Sequence, residues 1–140
     1  MSTARRWFES QSSTNRNSEV NWLRSWRTLW LTLGWGWAAA IVWLSLMPSP
    51  PTLDFEQSDK LGHFLAYGGL MFWFCQLYPK AQTRVYYAAG FIALGVGMEF
   101  LQGMTDYRTF EVLDMVANTI GVSLGWAVAL ILPIAWLRHD

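Results

Sequence analysis

The side chains that could bind a polar ligand or move a proton lie in short stretches between long apolar segments. They are Lys60, His63, Glu99, Gln102, Arg108, Asp114 and Asn118. The cations and the imidazole offer hydrogen-bond donors to a phosphate or carboxylate, and Arg is able to clamp such a group with two parallel bonds. The acids and amides would orient those donors or bind hydroxyl groups. His63, Glu99 and Asp114 are the candidates for general acid–base catalysis.

Glu99 is a candidate because of its surroundings. A carboxylate inside a membrane span costs about 2.5–3.5 kcal/mol on insertion scales, so an acid in that position indicates a function by default. The alternative is a structural ion pair with Arg108 or Lys60. For Asp114 the alternative is a structural role as an acid in the first turn of a helix, where the helix dipole favours a negative charge. For Asn118 the alternative is a structural hydrogen bond between helices.

The spacing of small residues indicates which helix face holds the polar groups. Asp114, Asn118, Gly121 and Gly125 follow one another at helical spacing and form one stripe. Glycines four residues apart let membrane helices pack closely. We therefore predict that Asp114 and Asn118 face protein and share one polar cavity with Glu99.

The elements that must position these side chains are apolar helices. Of the 140 residues, 53% are hydrophobic, 14% are charged and ten are Trp. The predicted spans are 28–47, 61–78, 85–102 and 111–137. A span of about 20 residues crosses a hydrocarbon core of ~30 Å, and these segments lack the continuous polar face of a soluble helix.

The fold class predicted from these segments is all-α, an integral membrane bundle of four transmembrane helices. Residues 1–21 are polar, rich in Ser, Asn and Gln, and predict a disordered tail. The membrane domain would comprise residues 22–140. The segment that begins at Trp22 carries Trp and Arg at helical spacing, which is typical of a membrane interface.

The distribution of Lys and Arg predicts the orientation. In a four-span arrangement, the two termini and the loop at 79–84 together hold eight of the ten cations, while the loops at 48–60 and 103–110 hold Lys60 and Arg108. The positive-inside rule then predicts cytoplasmic termini. All candidate side chains would lie at the outer face, and the expected location is a bacterial cytoplasmic membrane.

Several classes of function are disfavoured by composition. Ten Lys and Arg balance ten Asp and Glu without a basic patch, so we expect no nucleic-acid partner. The single Cys75 forms no internal disulfide, and no Cys/His spacing or HExxH motif predicts a metal site. We expect no cofactor. Because no nucleophilic Ser or Cys accompanies the polar set, binding is favoured over catalysis.

Three motifs in order resemble the VanZ-like family of small membrane proteins. They are the run from Asp59 to Tyr67, the run from Glu99 to Gln102, and Arg108 followed by the run from Asp114 to Gly121. The resemblance implies a bundle of few transmembrane helices and makes the seven candidate side chains signature positions. The family takes its name from a protein linked to teicoplanin resistance. The resemblance covers residues 40 to 127, so it leaves out the N-terminal tail.

Three functions remain open from the sequence. The first is an outer-face site for the headgroup of an envelope lipid or a lipid-linked cell-wall precursor, with a link to envelope or glycopeptide-type antibiotic tolerance. The second is a proton-coupled exporter that uses Glu99, although transporter sites usually lie near the bilayer midplane. The third is a structural partner of another membrane protein that docks through glycine-rich faces.

Overall fold

The chain forms an all-helical bundle in the residues that the computed structural model describes, 3–48 and 58–132. The helices are α1 (Thr3–Ser45), α2 (Ser58–Leu77), α3 (Ala81–Gly103) and α4 (Val112–Ile131). Three segments are long and apolar enough to cross a membrane: Arg24–Ser45, Ala81–Gly103 and Val112–Ile131. All regular secondary structure in the described residues is therefore helical, as the sequence predicts.

Helix α1 differs from the prediction at its beginning. The backbone is helical from Thr3, where composition predicts a disordered tail over residues 1–21. The physical reason is continuity: an established helix adds each further residue at the cost of ordering that residue alone. The proposed boundary between a tail and a membrane domain at residue 22 stays a prediction.

Helix α2 is the centre of the bundle and packs against the three other helices. Its side chains supply much of the core, including Tyr67, Leu70, Met71 and Phe74, each at most 1% exposed. Polar residues at both ends interrupt its apolar run, and it is absent from the three membrane-capable segments found in the described residues. Burial of these side chains against the other helices stabilises α2.

Helices α2 and α4 approach each other closely because glycines line the contact. A methyl group on Gly121 would overlap the carbonyl oxygen of Phe64, and one on Gly125 would overlap the carbonyl oxygen of Gly68. Backbone therefore touches backbone along this line, as the glycine stripe predicts. The same contact fixes where Asp114 and Asn118 face.

The outward faces of α3 and α4 are apolar. The large hydrophobic residues exposed there include Val85, Phe100, Val112, Leu113, Leu124, Leu130 and Ile131. An exposed apolar surface of this extent is typical of a membrane or protein interface.

Candidate functional site

The candidate site lies where α2 begins, α3 ends and α4 begins, which we call the polar end. The first turns of α2 present Asp59, Lys60 and His63. The last turns of α3 present Glu99, and α4 presents Asp114 in its first turn. Because α2 and α4 run side by side through glycine contacts, their first turns meet at the same end.

Four sequence-predicted side chains are buried together at the polar end. Glu99 is 0% exposed, Asn118 1%, Asp114 3% and His63 9%. His63 Nδ1 lies 3.2 Å from Asn118 Oδ1, and Glu99 interacts electrostatically with both Asp114 and His63. Helices that are far apart in sequence thus place these groups in one site.

Glycine also shapes the contact between α3 and α4. A Cβ atom on Gly95 would come within 2.8 Å of Asn118 Nδ2. The absence of a side chain at Gly95 therefore leaves room for Asn118 to face the interior. The Gly95–Glu99 spacing on α3 then puts Glu99 one turn nearer the helix end, on the same face.

The two cations of the site lie at its rim and are paired with acids. Lys60 Nζ is 2.7 Å from Glu111 Oε2 and 3.6 Å from Asp114 Oδ1. Arg108 Nη2 is 3.5 Å from Asp59 Oδ2. Their side chains are 28% and 14% exposed, so both close the site toward its surroundings while keeping unused donors.

Glu111 lies just outside α4, where Lys60 perturbs it. The hydrogen bond from Lys60 and the attraction of its charge lower the pKa of the Glu111 carboxyl below its ordinary value. Glu111 and Asp59 are members of the site that were not among the seven candidate residues, although Asp59 begins the first family motif. The signal for Asp59 is its spacing of four residues from His63.

Glu99 has a different partner from the one that the sequence suggests. Its Oε2 accepts a hydrogen bond of 3.2 Å from the backbone N–H of Glu111. In the described ranges, it forms no ion pair with Lys60 or Arg108, because those cations bind Glu111, Asp114 and Asp59 instead. Glu99 is thus held by the start of α4.

Several buried polar atoms at the polar end have no hydrogen-bond partner within the described chain. They are Glu99 Oε1, Asp114 Oδ1, Asn118 Nδ2 and Tyr67 Oη. Most buried polar atoms in native structures are paired, so each such atom calls for an explanation by strain, water, an ion or a ligand. Their concentration in one place favours a bound group.

Gln102 does not belong to this cluster. Its Nε2 donates a hydrogen bond of 2.7 Å to the carbonyl oxygen of Ser45, which joins the end of α3 to the end of α1. Tyr107 makes a second link to this region, from its hydroxyl to the carbonyl oxygen of Leu46. We therefore assign Gln102 to the packing of α1.

No short motif predicts a metal site, yet three metal-binding side chains meet here. The ligand atoms of Asp59, His63 and Asp114 all lie within 4.8 Å of one another. Asp59 and His63 come from α2 and Asp114 from α4, so no contiguous motif is able to show the set.

Fold and site together define a small helical protein with membrane-capable helices and a buried polar cluster at one end. The VanZ/LLP1 family profile matches residues 1–133. The chain belongs to the VanZ/LLP1 family.

The comparison with curated proteins finds an uncharacterized protein of Schizosaccharomyces pombe, which is 34% identical over 77 residues. The match covers 53% of this chain and 48% of the relative. The chain thus spans about half the length of the curated relative that it matches. No solved structure matches.

Proposed function

We propose that this protein is a multi-pass membrane protein whose polar end binds the phosphate-containing headgroup of a membrane lipid or lipid-linked envelope precursor. The main support for this proposal is the group of buried polar atoms of Glu99, Asn118 and Tyr67 that have no hydrogen-bond partner in the described residues. Glu99 lies in the last turns of α3 and Asn118 in the second turn of α4, while Tyr67 lies at the middle of α2, and we propose that a headgroup enters from the helix ends to reach them.

The charges of the site favour a particular headgroup chemistry. Lys60 and Arg108 supply donors for a phosphate at the rim. The buried acceptor Glu99 Oε1 would take a hydrogen bond from a hydroxyl or ammonium group. We therefore favour a headgroup that carries hydrogen-bond donors as well as a phosphate.

The similar protein in a yeast bears on the choice of lipid. A yeast builds no peptidoglycan. We therefore favour a phospholipid that bacteria and yeasts share over a bacterial cell-wall precursor as the bound lipid. Tolerance to glycopeptide-type antibiotics would then follow from altered envelope lipids. A deletion strain with an unchanged teicoplanin susceptibility would remove that part of the proposal.

For the arrangement in the membrane we propose four spans, with α2 as the second, and cytoplasmic termini in a bacterial cytoplasmic membrane. Eight of the ten cations then lie on the cytoplasmic side. A periplasm-active reporter should be silent when fused after Asp140 and active when inserted at residues 50–58. The reverse pattern would place the polar end in the cytoplasm.

Lipid binding is tested with two lipids of equal net charge. Native mass spectrometry of the detergent-purified chain should show phosphatidylethanolamine, which has ammonium donors, binding at least about 10-fold tighter than phosphatidylcholine, which has none. Glu99→Gln and Arg108→Gln should each weaken binding. Lys80→Gln is the matched control, because Lys80 is an exposed cation at the opposite end. Equal binding of both lipids, insensitive to Glu99→Gln, would refute the site.

The exporter alternative is less consistent with the position of the acids. Glu99 lies in the last turns of α3 and Asp114 in the first turn of α4, whereas a transport site is expected near the midplane. Proton release from proteoliposomes upon addition of a cationic drug, abolished by Glu99→Gln, would favour the exporter.

A further inference from the structure

We infer that Asp59, His63 and Asp114 bind a divalent transition-metal ion of the zinc or manganese type. The inference does not depend on lipid binding. It starts from the direction in which the imidazole of His63 faces.

The contact with Asn118 indicates which ring nitrogen of His63 carries the hydrogen when the ring is neutral. Its Nδ1 faces the amide oxygen of Asn118 at 3.2 Å, and since that oxygen only accepts, Nδ1 carries the hydrogen. In the neutral ring, Nε2 then presents a lone pair. This arrangement, in which a polar partner orients a histidine through its second nitrogen, is usual for metal-binding histidines.

The lone pair of Nε2 faces two carboxylate oxygens. Asp59 Oδ1 is 3.9 Å away and Asp114 Oδ2 is 4.0 Å away, both beyond hydrogen-bond distance. The side chain of His63 is only 8% exposed. Water therefore screens only part of the repulsion between the Nε2 lone pair and the two carboxylate oxygens. A cation among the three atoms would turn that repulsion into attraction.

The spacing suits an ion between the three atoms. Zinc binds nitrogen and oxygen ligands at about 2.0–2.2 Å, which separates neighbouring ligand atoms by roughly 3–4 Å. The distances of 3.9 and 4.0 Å from His63 Nε2 fall within that range, and the three ligand atoms, all within 4.8 Å of one another, would have to draw together around the ion. Asp59 is 42% exposed, so the ion would have an entry path and open positions for water.

The cations at the rim hold each carboxylate in the required orientation. Asp59 turns Oδ2 toward Arg108 and Oδ1 toward His63. Asp114 turns Oδ1 toward Lys60 and Oδ2 toward His63. Each carboxylate thus contacts a cation with one oxygen and faces His63 Nε2 with the other. Neighbouring groups orient the ligands of metal sites in the same way.

Acidic side chains outnumber the cations at the polar end. The polar end contains four carboxylates, those of Asp59, Glu99, Glu111 and Asp114, against the two fixed charges of Lys60 and Arg108. This surplus of acidic side chains would attract a divalent cation to the point between Asp59, His63 and Asp114. An imidazole among the ligands favours a transition metal over Mg²⁺ or Ca²⁺, which prefer oxygen ligands alone.

The test measures metal on the full chain in lipid-free detergent, purified with a tag that contains no histidine and stripped with a chelator. Mn²⁺ should bind at one equivalent, and electron spin-echo spectra should show coupling to one nitrogen. His63→Gln should abolish that coupling, and Asp114→Asn should weaken binding at least about 10-fold. Asp106→Asn, which removes an exposed acid from the neighbouring loop, should change neither.

Three outcomes would overturn the inference. They are a wild-type Mn²⁺ spectrum without nitrogen coupling, binding of Mg²⁺ as tight as that of Mn²⁺ and Zn²⁺, and protons as the only cations bound. Because the nitrogen coupling is measured on the wild-type chain, a variant that fails to fold does not decide the result. The lipid experiment uses a different signal, so either proposal can fail while the other stands.

Discussion

The two ends of the bundle handle buried polar groups in opposite ways. At the end opposite the polar end, Arg84 is only 5% exposed. It donates 2.7 and 2.8 Å hydrogen bonds to the carbonyl oxygens of Tyr78 and Cys75 at the end of α2. These bonds satisfy carbonyls that a helix end leaves free, and the charge is favourable at the negative end of the helix dipole.

The polar end instead keeps carboxylate and amide atoms that the described chain does not satisfy. Glu99 Oε1 and Asn118 Nδ2 are buried without a hydrogen-bond partner, and two acids face the lone pair of His63. Burial of a charge therefore does not by itself indicate a function. A buried charge satisfied by its own backbone stabilises the fold, whereas an unsatisfied one requires strain, water, an ion or a ligand to account for it.

The largest expected effect concerns the helix pair that supports the polar end. Gly121→Ala would place a methyl group against the carbonyl oxygen of Phe64. Because backbone is unable to move aside cheaply, we expect α2 and α4 to separate, with loss of monodisperse protein on size-exclusion chromatography. Gly97→Ala is the control, since nothing lies within 4 Å of a Cβ there. Equal behaviour of the two variants would contradict the close contact.

The next effect concerns the satisfied end. Arg84→Gln removes two charge-assisted hydrogen bonds to α2, each worth roughly 1.5–3 kcal/mol. We expect a lower thermal midpoint in detergent and unchanged ligand binding. Lys80→Gln, which removes a nearby exposed cation, should leave the midpoint within about 1 °C. A loss of ligand binding at unchanged stability would instead assign Arg84 to a site.

A smaller effect on stability, with a larger one on binding, is expected at the unsatisfied end. Glu99→Gln keeps the shape of the side chain, and the amide oxygen is still able to accept from the Glu111 N–H. We expect a thermal midpoint equal to or above that of the wild type, because an uncompensated buried charge is removed. Lipid binding should fall about 10-fold. A strongly lowered midpoint would show that Glu99 is structural, as Arg84 is.

The smallest effect is a pH dependence at the rim. The folded-state pKa of Glu111 lies below its ordinary value of 4.5 because of Lys60. A lowered folded pKa contributes stability above the unfolded value, and that stability is lost as the pH falls through the folded value. Thermal midpoints measured from pH 6 down to pH 3 should therefore decline less in Lys60→Met than in the wild type. If the thermal midpoints of both proteins fell equally with pH, the ion pair between Lys60 and Glu111 would not contribute to stability.

The sequence by itself determined the helical class and the family, and it selected most of the candidate residues that the structure brings together. Long apolar segments without a polar face indicate helices that are surrounded by lipid or by a protein core. Glu99, Asp114 and Asn118 stand out because polar side chains are costly within such segments. The glycine stripe also predicted the face of α4, since close packing depends on residue size and helical spacing alone.

Only the tertiary structure decided which groups pair and which stay unsatisfied. The sequence suggested Arg108 or Lys60 for Glu99, yet both cations bind other acids, and Arg84, assigned from sequence to a loop, is buried against α2. The meeting of Asp59 and His63 with Asp114 depends on how α2 lies against α4. The physical reason is that pairing needs distances of a few ångströms between helices, and spacing along one chain does not determine those distances.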